Sequence, residues 1–427
     1  MKMGKKSLAT SRQSMEQENS LLVQRGAILL LAPVIFLSTF PVQAAELSER
    51  YQQTLESTEK SHKGIRAGSF VFLPALGIKT EFDDNIDNSK DNKTEDIVTA
   101  ASGAVAFSSD WSRHNVTIGT SQTKVSYKER KDRNATTGSY FIRGRYDLTK
   151  ETELNSSFTR SKRHLNRGTG SDLDVANPID YWVDTLTVGF KRTLGMIQVA
   201  LDGRHIVSTI LDKAKAFGTD YEKKESNGIG GRVTYVSSPG NTVYLATNYT
   251  DNSYNLIDGS KRDTRLLDAR VGGTYTPNGI YNAGLYTGWQ RHTDHSTDEE
   301  QKLFSLGGNF QWNITRLTNL EYSYEKSFRE GEAAANDTAE ITAQQLTLGN
   351  RFTPNWNGNI SLRREDFEYT SSGATNSTIY IGKIENSFSL TDSLDLNIGL
   401  SHQRKEADDR DSEYKSNNVY VSFTYIY

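Results

Sequence analysis

Apolar and polar residues alternate along most of the chain from residue 68 onward. In one such segment, Tyr140, Ile142 and Tyr146 alternate with Arg143 and Arg145. Successive side chains of a β-strand point to opposite faces, so a period of two predicts strands with one apolar face and one polar face. These segments are about 12 to 16 residues long, and together they predict an all-β fold.

The connections between these segments are of two kinds. Eight short sequences carry turn residues such as Pro, Gly, Asn and Asp. They are 110–113, 148–151, 193–195, 238–241, 276–279, 313–316, 353–355 and 391–393. Nine long and very polar segments alternate with the turns. They are 83–95, 128–137, 164–180, 213–225, 258–264, 292–300, 329–340, 370–378 and 407–415.

The turns recur roughly every 37 to 46 residues, a period that a solenoid or a propeller would also give. The long polar segments instead favour a row of hairpins with tight turns at one end and large loops at the other. This count predicts 18 strands, with 16 as the alternative. Tight turns on one rim and long loops on the other are typical of closed, antiparallel, up-and-down barrels of the outer membrane.

A closed barrel also explains how so polar a chain can cross a bilayer. Only 35% of its residues are hydrophobic. In lipid every backbone N–H and C=O group needs a partner within the protein, and a closed sheet supplies one. About 9 to 11 residues of each strand then cross the bilayer, with an apolar outer face and a polar inner face. We therefore expect residues 68–427 to form a transmembrane β-barrel with periplasmic turns and extracellular loops.

The N-terminus has the layout of an export signal. Residues 26–40 are apolar, Arg25 precedes them, and small residues at Val42 and Ala44 suit cleavage after Ala44. We expect residues 1–44 to be a signal peptide, residues 45–67 to be a periplasmic segment, and the mature chain to be acidic. An acidic exported chain is not expected to bind nucleic acid. The absence of Cys excludes a disulfide framework.

Charged residues on the polar face of the strands are candidates for the lumen wall. A charge facing lipid at mid-depth would cost roughly 2 to 4 kcal/mol, so alternation places these residues inward. They are Arg143, Arg145, Asp147, Asp202, Arg204, Glu321, Glu325 and Arg329. Such a wall either selects a polar solute or stabilises the barrel through ion pairs. The alternation is interrupted near Arg363 and Arg364, which is typical of a β-bulge and leaves their faces open.

No motif predicts catalysis or a bound metal. Asp83, Asn85 and Asp87 have the initial spacing of a calcium loop, but Asn88 stands where such a loop needs Gly and Thr94 where it needs Glu. The seven His residues lie in no nucleophile or zinc motif. We therefore expect no enzymatic activity, no catalytic residue, no cofactor and no metal.

The last strand has Phe423, Tyr425 and Tyr427 on one face. This resembles the terminal recognition signature of bacterial outer-membrane proteins, which implies the barrel assembly machinery as a partner. The membrane lipid and lipopolysaccharide are the other expected contacts, and the expected location is the outer membrane of a Gram-negative bacterium.

Residues 77–86, with the sequence GIKTEFDDNI, resemble the Tyr-x-Asp-Asn-hydrophobic stretch of a known family, and residues 363–369 resemble its charged and aromatic strands. This family comprises outer-membrane β-barrel porins often encoded with exopolysaccharide and capsule synthesis genes. The resemblance implies a porin-like role in exopolysaccharide export, with the polymer and polysaccharide-export proteins as partners. A general diffusion porin and a surface-binding or adhesion barrel with a plugged lumen are the alternatives.

Overall fold

The computed structural model describes residues 64–165, 179–211, 221–330, 338–369 and 375–427. They form a single antiparallel sheet in which each long strand pairs with the next along the chain. The strands are β1 (Ile65–Ala67), β2 (Phe70–Asp83), β3 (Asp96–Ser109), β4 (Asn115–Tyr127), β5 (Ala135–Asp147), β6 (Thr152–Leu165), β7 (Ile179–Leu194), β8 (Ile197–Ile210), β9 (Tyr221–Ser238), β10 (Asn241–Leu256), β11 (Lys261–Tyr275), β12 (Tyr281–Asp294), β13 (Glu299–Asn313), β14 (Thr318–Glu330), β15 (Thr338–Thr353), β16 (Trp356–Tyr369), β17 (Ser377–Ser389), β18 (Leu394–Ala407) and β19 (Tyr414–Ile426).

The sheet closes on itself, because β19 pairs with β2 from Asn418 opposite Asp83 to Ile426 opposite Ala75. Strands β2 to β19 thus form the predicted 18-stranded antiparallel barrel, which is confirmed. Short strand β1 pairs only with β2. Two single-turn 3-10 helices, Lys131–Arg133 and Arg410–Ser412, lie in loops. Within the described residues no helix is both long and apolar enough to cross a membrane.

All eight predicted turns connect consecutive strands. Gly195 and Gly240 occupy two of them with φ of 61° and 83°, a backbone region that favours glycine. Two of the predicted long loops are short, however. Strand β11 already begins at Lys261, β12 continues to Asp294 and β13 begins at Glu299. These strands extend beyond the bilayer into water, where both faces can be polar, so their ends resemble loops in sequence.

The outer face carries the apolar belt. On β11 it runs from Leu267 to Tyr275, about 27 Å along the strand, which corresponds to about 21 Å across the bilayer once a strand tilt of about 40° is included. Aromatic residues mark both edges of the belt. Trp356 packs against Phe352 and Phe388 at the turn end, with ring centroids 4.4 and 5.5 Å apart.

The inner face is less uniformly polar than the sequence predicts. Ala339, Ile341, Ala343, Phe367 and Ile379 form a buried apolar cluster on β15 to β17. A second cluster joins β2, β3 and β5 at the turn end. Parts of the inner wall are therefore apolar and closely packed.

The expected irregularity at Arg363 and Arg364 is absent, since β16 pairs with β15 without a shift until Arg351. Arg363 is on the inner face and bonds to fully buried Glu365 over 2.5 Å. Arg364 is on the outer face, 2.9 Å from Asp366. Charges on both faces are tolerated here because Asp366 neutralises the outer one above the belt.

Candidate functional site

The eight predicted lumen residues occupy three separate places in the barrel. On β5, Arg143, Arg145 and Asp147 share a face with buried Phe141, opposite exposed Tyr140. The Arg143 guanidinium lies 5.0 Å from the Phe141 ring centroid, and Arg145 lies 3.4 Å from Asp147. This group is therefore compact, and Asp147 neutralises one of its two cations.

On β8, Asp202 and Arg204 are exposed on the face opposite outward-facing Leu201. The Asp202 carboxylate borders Gly230 on β9, and no ion pair of Asp202 occurs within the described residues. These two charges stand in an open sector of the wall.

On β14, Glu321, Glu325 and Arg329 follow one another along the inner face. Glu321 accepts a hydrogen bond of 3.0 Å from Asn319. Glu325 lies beside Arg270 and Tyr286, which come from β11 and β12. Of the three groups, this one is connected to the most extensive polar network of the inner wall. That the eight residues guide a solute stays a prediction.

The most unusual feature of the wall is a separation between β13 and β14. Both strands keep their other neighbours over their full length, but they pair with each other only up to Leu306 opposite Lys326. Residues 327–330 of β14, which we call the inward tip, turn toward the lumen. The backbone N–H of Phe328, which lacks a β13 partner, donates a 2.7 Å hydrogen bond to the inward side chain of Gln290 on β12.

Glu330 is the last residue of the inward tip, and its carboxylate contacts side chains from four other strands. Its Oε2 accepts hydrogen bonds from Tyr254 at 2.6 Å and from Asn252 at 2.7 Å. Its Oε1 accepts one from Thr264 at 2.5 Å and lies 3.1 Å from Nε2 of His292. We call these residues, with Lys224 3.5 Å away, the Glu330 cluster. The cluster fixes the inward tip across the inner faces of β9 to β12.

The sequence contains no signal for Glu330, because strict alternation would place it outside and it lies in a segment predicted to be a loop. His292 also lies in a predicted loop. Its position does continue the inward alternation of Tyr286 and Gln290, so that longer pattern could have identified it.

The wall next to the cluster pairs its charges. Arg262 bonds to Asp294 over 2.5 Å, and Arg270 bonds to Asp268 over 2.5 Å. Arg270 also lies over the Tyr286 ring at 4.5 Å, in cation–π geometry. The Tyr286 ring also packs against Gly307, where a Cβ would overlap it. Paired charges leave this side of the lumen polar with little net field.

A large cavity lies at the opposite, turn end of the lumen. Its volume is about 1370 Å³, and it extends from the β11–β12 and β13–β14 turns to the inner faces of β15 to β19. Uncharged polar side chains predominate in its lining. They include Asn313, Asn319, Asn350, Asn357, Asn359, Ser387 and Thr424.

The acidic loop next to β2 has protein partners. Asp87 lies 3.0 Å from Arg130 and 2.6 Å from Arg133, and Asn85 bonds to the backbone of Ser89 and Lys415. Arg130 also bonds to Asp132 and so lowers the pKa of that carboxyl. Across the described residues, no group of three or more His, Asp or Glu side chains is arranged to hold a metal ion.

The fold can now be set beside known proteins. The model of the family described as putative beta-barrel porin 2 matches residues 61–426. The chain belongs to this porin family. It is an outer-membrane β-barrel, as the porin resemblance of residues 77–86 implied. No curated protein matches the sequence of this porin-family chain.

Many solved structures share the barrel architecture, and two of them illustrate the likeness. The FrpB iron transporter from Neisseria meningitidis (F5-1 variant) has a TM-score of 0.53 and 8% identity, covering 81% of this chain and 64% of that chain. OpdK from Pseudomonas aeruginosa, solved with vanillate, has a TM-score of 0.50 and 13% identity, covering 83% of this chain and 99% of that chain. The porin-family chain thus spans less than two thirds of the FrpB structure. At such identities the likeness shows the fold alone.

Proposed function

We propose that this barrel passes a polar solute across the outer membrane of a Gram-negative bacterium, and that the solute is an exopolysaccharide leaving the cell. Membership of the porin family supports passage. The resemblance of residues 77–86 to porins encoded with exopolysaccharide genes supports an exopolysaccharide as the solute. Polysaccharide-export proteins, lipopolysaccharide and the barrel assembly machinery are the proposed partners.

The charge pairing of the inner wall is the observation that carries this proposal. A channel for strongly charged solutes presents rings of one sign, which create a selective field. Here Arg262 with Asp294, Arg270 with Asp268 and Lys383 with Glu385 neutralise one another. A wall that is polar but electrically balanced suits an uncharged or weakly charged solute. Passage through it needs neither a catalytic group nor a cofactor, so we propose no enzymatic activity.

Deletion of the gene in the source bacterium tests this function directly. We expect loss of secreted polysaccharide and its return when the intact barrel is supplied from a plasmid. Unchanged polysaccharide together with steady conductance in planar bilayers would instead identify a general diffusion porin. Growth on small polar nutrients is the matched control, because only the diffusion porin should affect it.

A second candidate is a surface-binding barrel with a narrowed lumen. The inward tip favours it, since residues 327–330 occupy the loop end of the lumen. For such a protein, replacing the extracellular loops would abolish activity, and altering the inner wall would leave activity unchanged. If the barrel exports exopolysaccharide, altering the inner wall should abolish activity and replacing the extracellular loops should leave activity unchanged.

A further inference from the structure

The cavity at the turn end of the lumen has the chemistry of a binding site. We call its inner wall on β14 to β16, formed by Asn319, Gly349, Arg351, Asn357 and Asn359, the amide vestibule. Ligand sites in proteins usually enclose about 300 to 1,000 Å³, so a cavity of about 1370 Å³ accommodates several sugar-sized units.

Two asparagines converge over one glycine in this wall. Asn319, Gly349 and Asn359 are register neighbours on three adjacent strands. A Cβ at position 349 would overlap the Asn319 amide oxygen and lie 3.0 Å from that of Asn359. The missing side chain therefore lets both amide oxygens pack closely over the backbone of Gly349.

The amides of the vestibule retain capacity for a ligand. Asn319 donates to Glu321 through its amide nitrogen, and its amide oxygen lies over Gly349. Asn357 and Asn359 are exposed on the same face of β16, and their side-chain amides have no hydrogen-bond partner among the described residues. A side-chain amide offers two donors and one acceptor oxygen, which complements vicinal hydroxyl groups.

The charges around the vestibule are few and nearly balanced. Arg316 and Arg351 line the cavity together with Asp395, and Glu321 adjoins Asn319. With no dominant sign, the cavity has no electrostatic preference for an anionic or a cationic ligand. Hydrogen bonding by neutral groups is then the main basis for recognition.

We propose that the amide vestibule binds an uncharged polyhydroxyl ligand, a segment of a neutral glycan, at the periplasmic mouth of the lumen. The proposal rests on the proposed function, because a polymer that leaves through the barrel enters at this end. Each amide contributes a modest net free energy, so segments bind weakly and exchange. Weak, repeated contacts hold a polymer at the entrance without trapping it.

A neutral gluco-oligosaccharide, maltoheptaose, is the probe, and an oligogalacturonate of equal length is its anionic counterpart. Binding is measured by calorimetry on the detergent-solubilised full barrel and by current block in planar bilayers with addition to each side. We expect maltoheptaose to bind more tightly than the oligogalacturonate and to block from the turn side. Asn359→Ala and Gly349→Ala should each weaken binding by about three- to tenfold.

The barrel contains a matched control for these variants. Asn155 faces Gly189 across β6 and β7 and donates to Glu153 over 2.7 Å, as Asn319 faces Gly349 and donates to Glu321. A Cβ at Gly189 meets only ordinary contacts, at 3.8 Å and beyond. Asn155→Ala and Gly189→Ala should therefore leave maltoheptaose binding unchanged, and circular dichroism verifies that all four variants form the barrel.

The outcomes separate the site from the function. Three results would each overturn the proposal that the vestibule binds a neutral glycan. They are no binding of maltoheptaose, equal weakening of binding by the control variants, and tighter binding of the oligogalacturonate. If deletion of the gene leaves secreted polysaccharide intact while maltoheptaose still binds through Asn359 and Gly349, the site stands and export fails. If deletion abolishes secreted polysaccharide while the vestibule variants bind maltoheptaose unchanged, export stands and the site fails.

Discussion

Two sectors of the same wall use inward charges in opposite ways. In the sector from β9 to β14, the Glu330 carboxylate is largely enclosed and bonds to the buried side chains of the Glu330 cluster. On β8, Asp202 and Arg204 stand exposed, and a further cation, Arg163, lies close enough to Arg204 to interact with it electrostatically. Networked charges fix structure because removing one member leaves the others without their partner. Exposed charges contribute little to stability and act mainly on what passes.

Removal of the Glu330 carboxylate should have the largest effect. Glu330→Ala leaves Lys224, His292, Tyr254 and Thr264 without their shared acceptor and frees the inward tip. We expect the free energy of unfolding to fall by about 3 kcal/mol and the single-channel conductance to rise. Urea titration in detergent and planar-bilayer recording measure the two effects.

Asp202→Ala is the control for Glu330→Ala. It removes an inward carboxylate of similar size from the open sector and should change the unfolding free energy by less than about 0.5 kcal/mol. Equal losses in both variants would remove the distinction between the two sectors.

Energetic coupling within the network sharpens the comparison. Gln290→Ala removes the acceptor for the Phe328 N–H and should cost about 1 to 3 kcal/mol. Combined with Glu330→Ala, the costs should be non-additive by roughly 0.5 to 3 kcal/mol, since both residues hold the inward tip. Asp202→Ala combined with Glu330→Ala should be additive, and a double-mutant cycle from urea midpoints decides between these results.

Packing of Tyr286 gives an expected effect of similar size to that of Gln290→Ala. Gly307→Ala places a Cβ into the Tyr286 ring and should cost about 1 to 3 kcal/mol through displacement of that ring from Arg270. Gly189→Ala in the open sector has room for its Cβ. If thermal unfolding of the two variants is indistinguishable, the ring does not brace the networked sector.

Charge reversal in the open sector should have the smallest effect on stability, but it should clearly change the ion selectivity of the channel. Arg204→Glu removes an exposed cation beside Arg163 and adds an anion. We expect the reversal potential in a KCl gradient to shift toward cation selectivity, with the unfolding free energy changed by less than about 0.5 kcal/mol. An unchanged reversal potential would mean that these charges lie away from the ion path.

The amino-acid sequence predicts the barrel architecture but does not predict the Glu330 cluster. Turns such as 238–241 and 353–355 carry local chemistry that can be read residue by residue, so the strand count follows. The position of Glu330 cannot be predicted in this way. It lies inward because β14 no longer pairs with β13 there, and no local sequence pattern indicates this. The vestibule likewise depends on which strands become neighbours. Asn319 and Asn359 are far apart in sequence, and only the register brings them to Gly349.

The closing of the barrel has a consequence for the order of folding. Strands β19 and β2 meet through contacts such as Ser416 with Asp83, which are 333 residues apart in the chain. Hairpins between consecutive strands can form locally, but this last pairing requires the two extremities of the sheet to find each other. Long-range pairing of this kind slows folding and leaves strand edges open in the meantime. The pairing of β19 with β2 is therefore the folding step at which we expect a cellular assembly factor to have the largest effect.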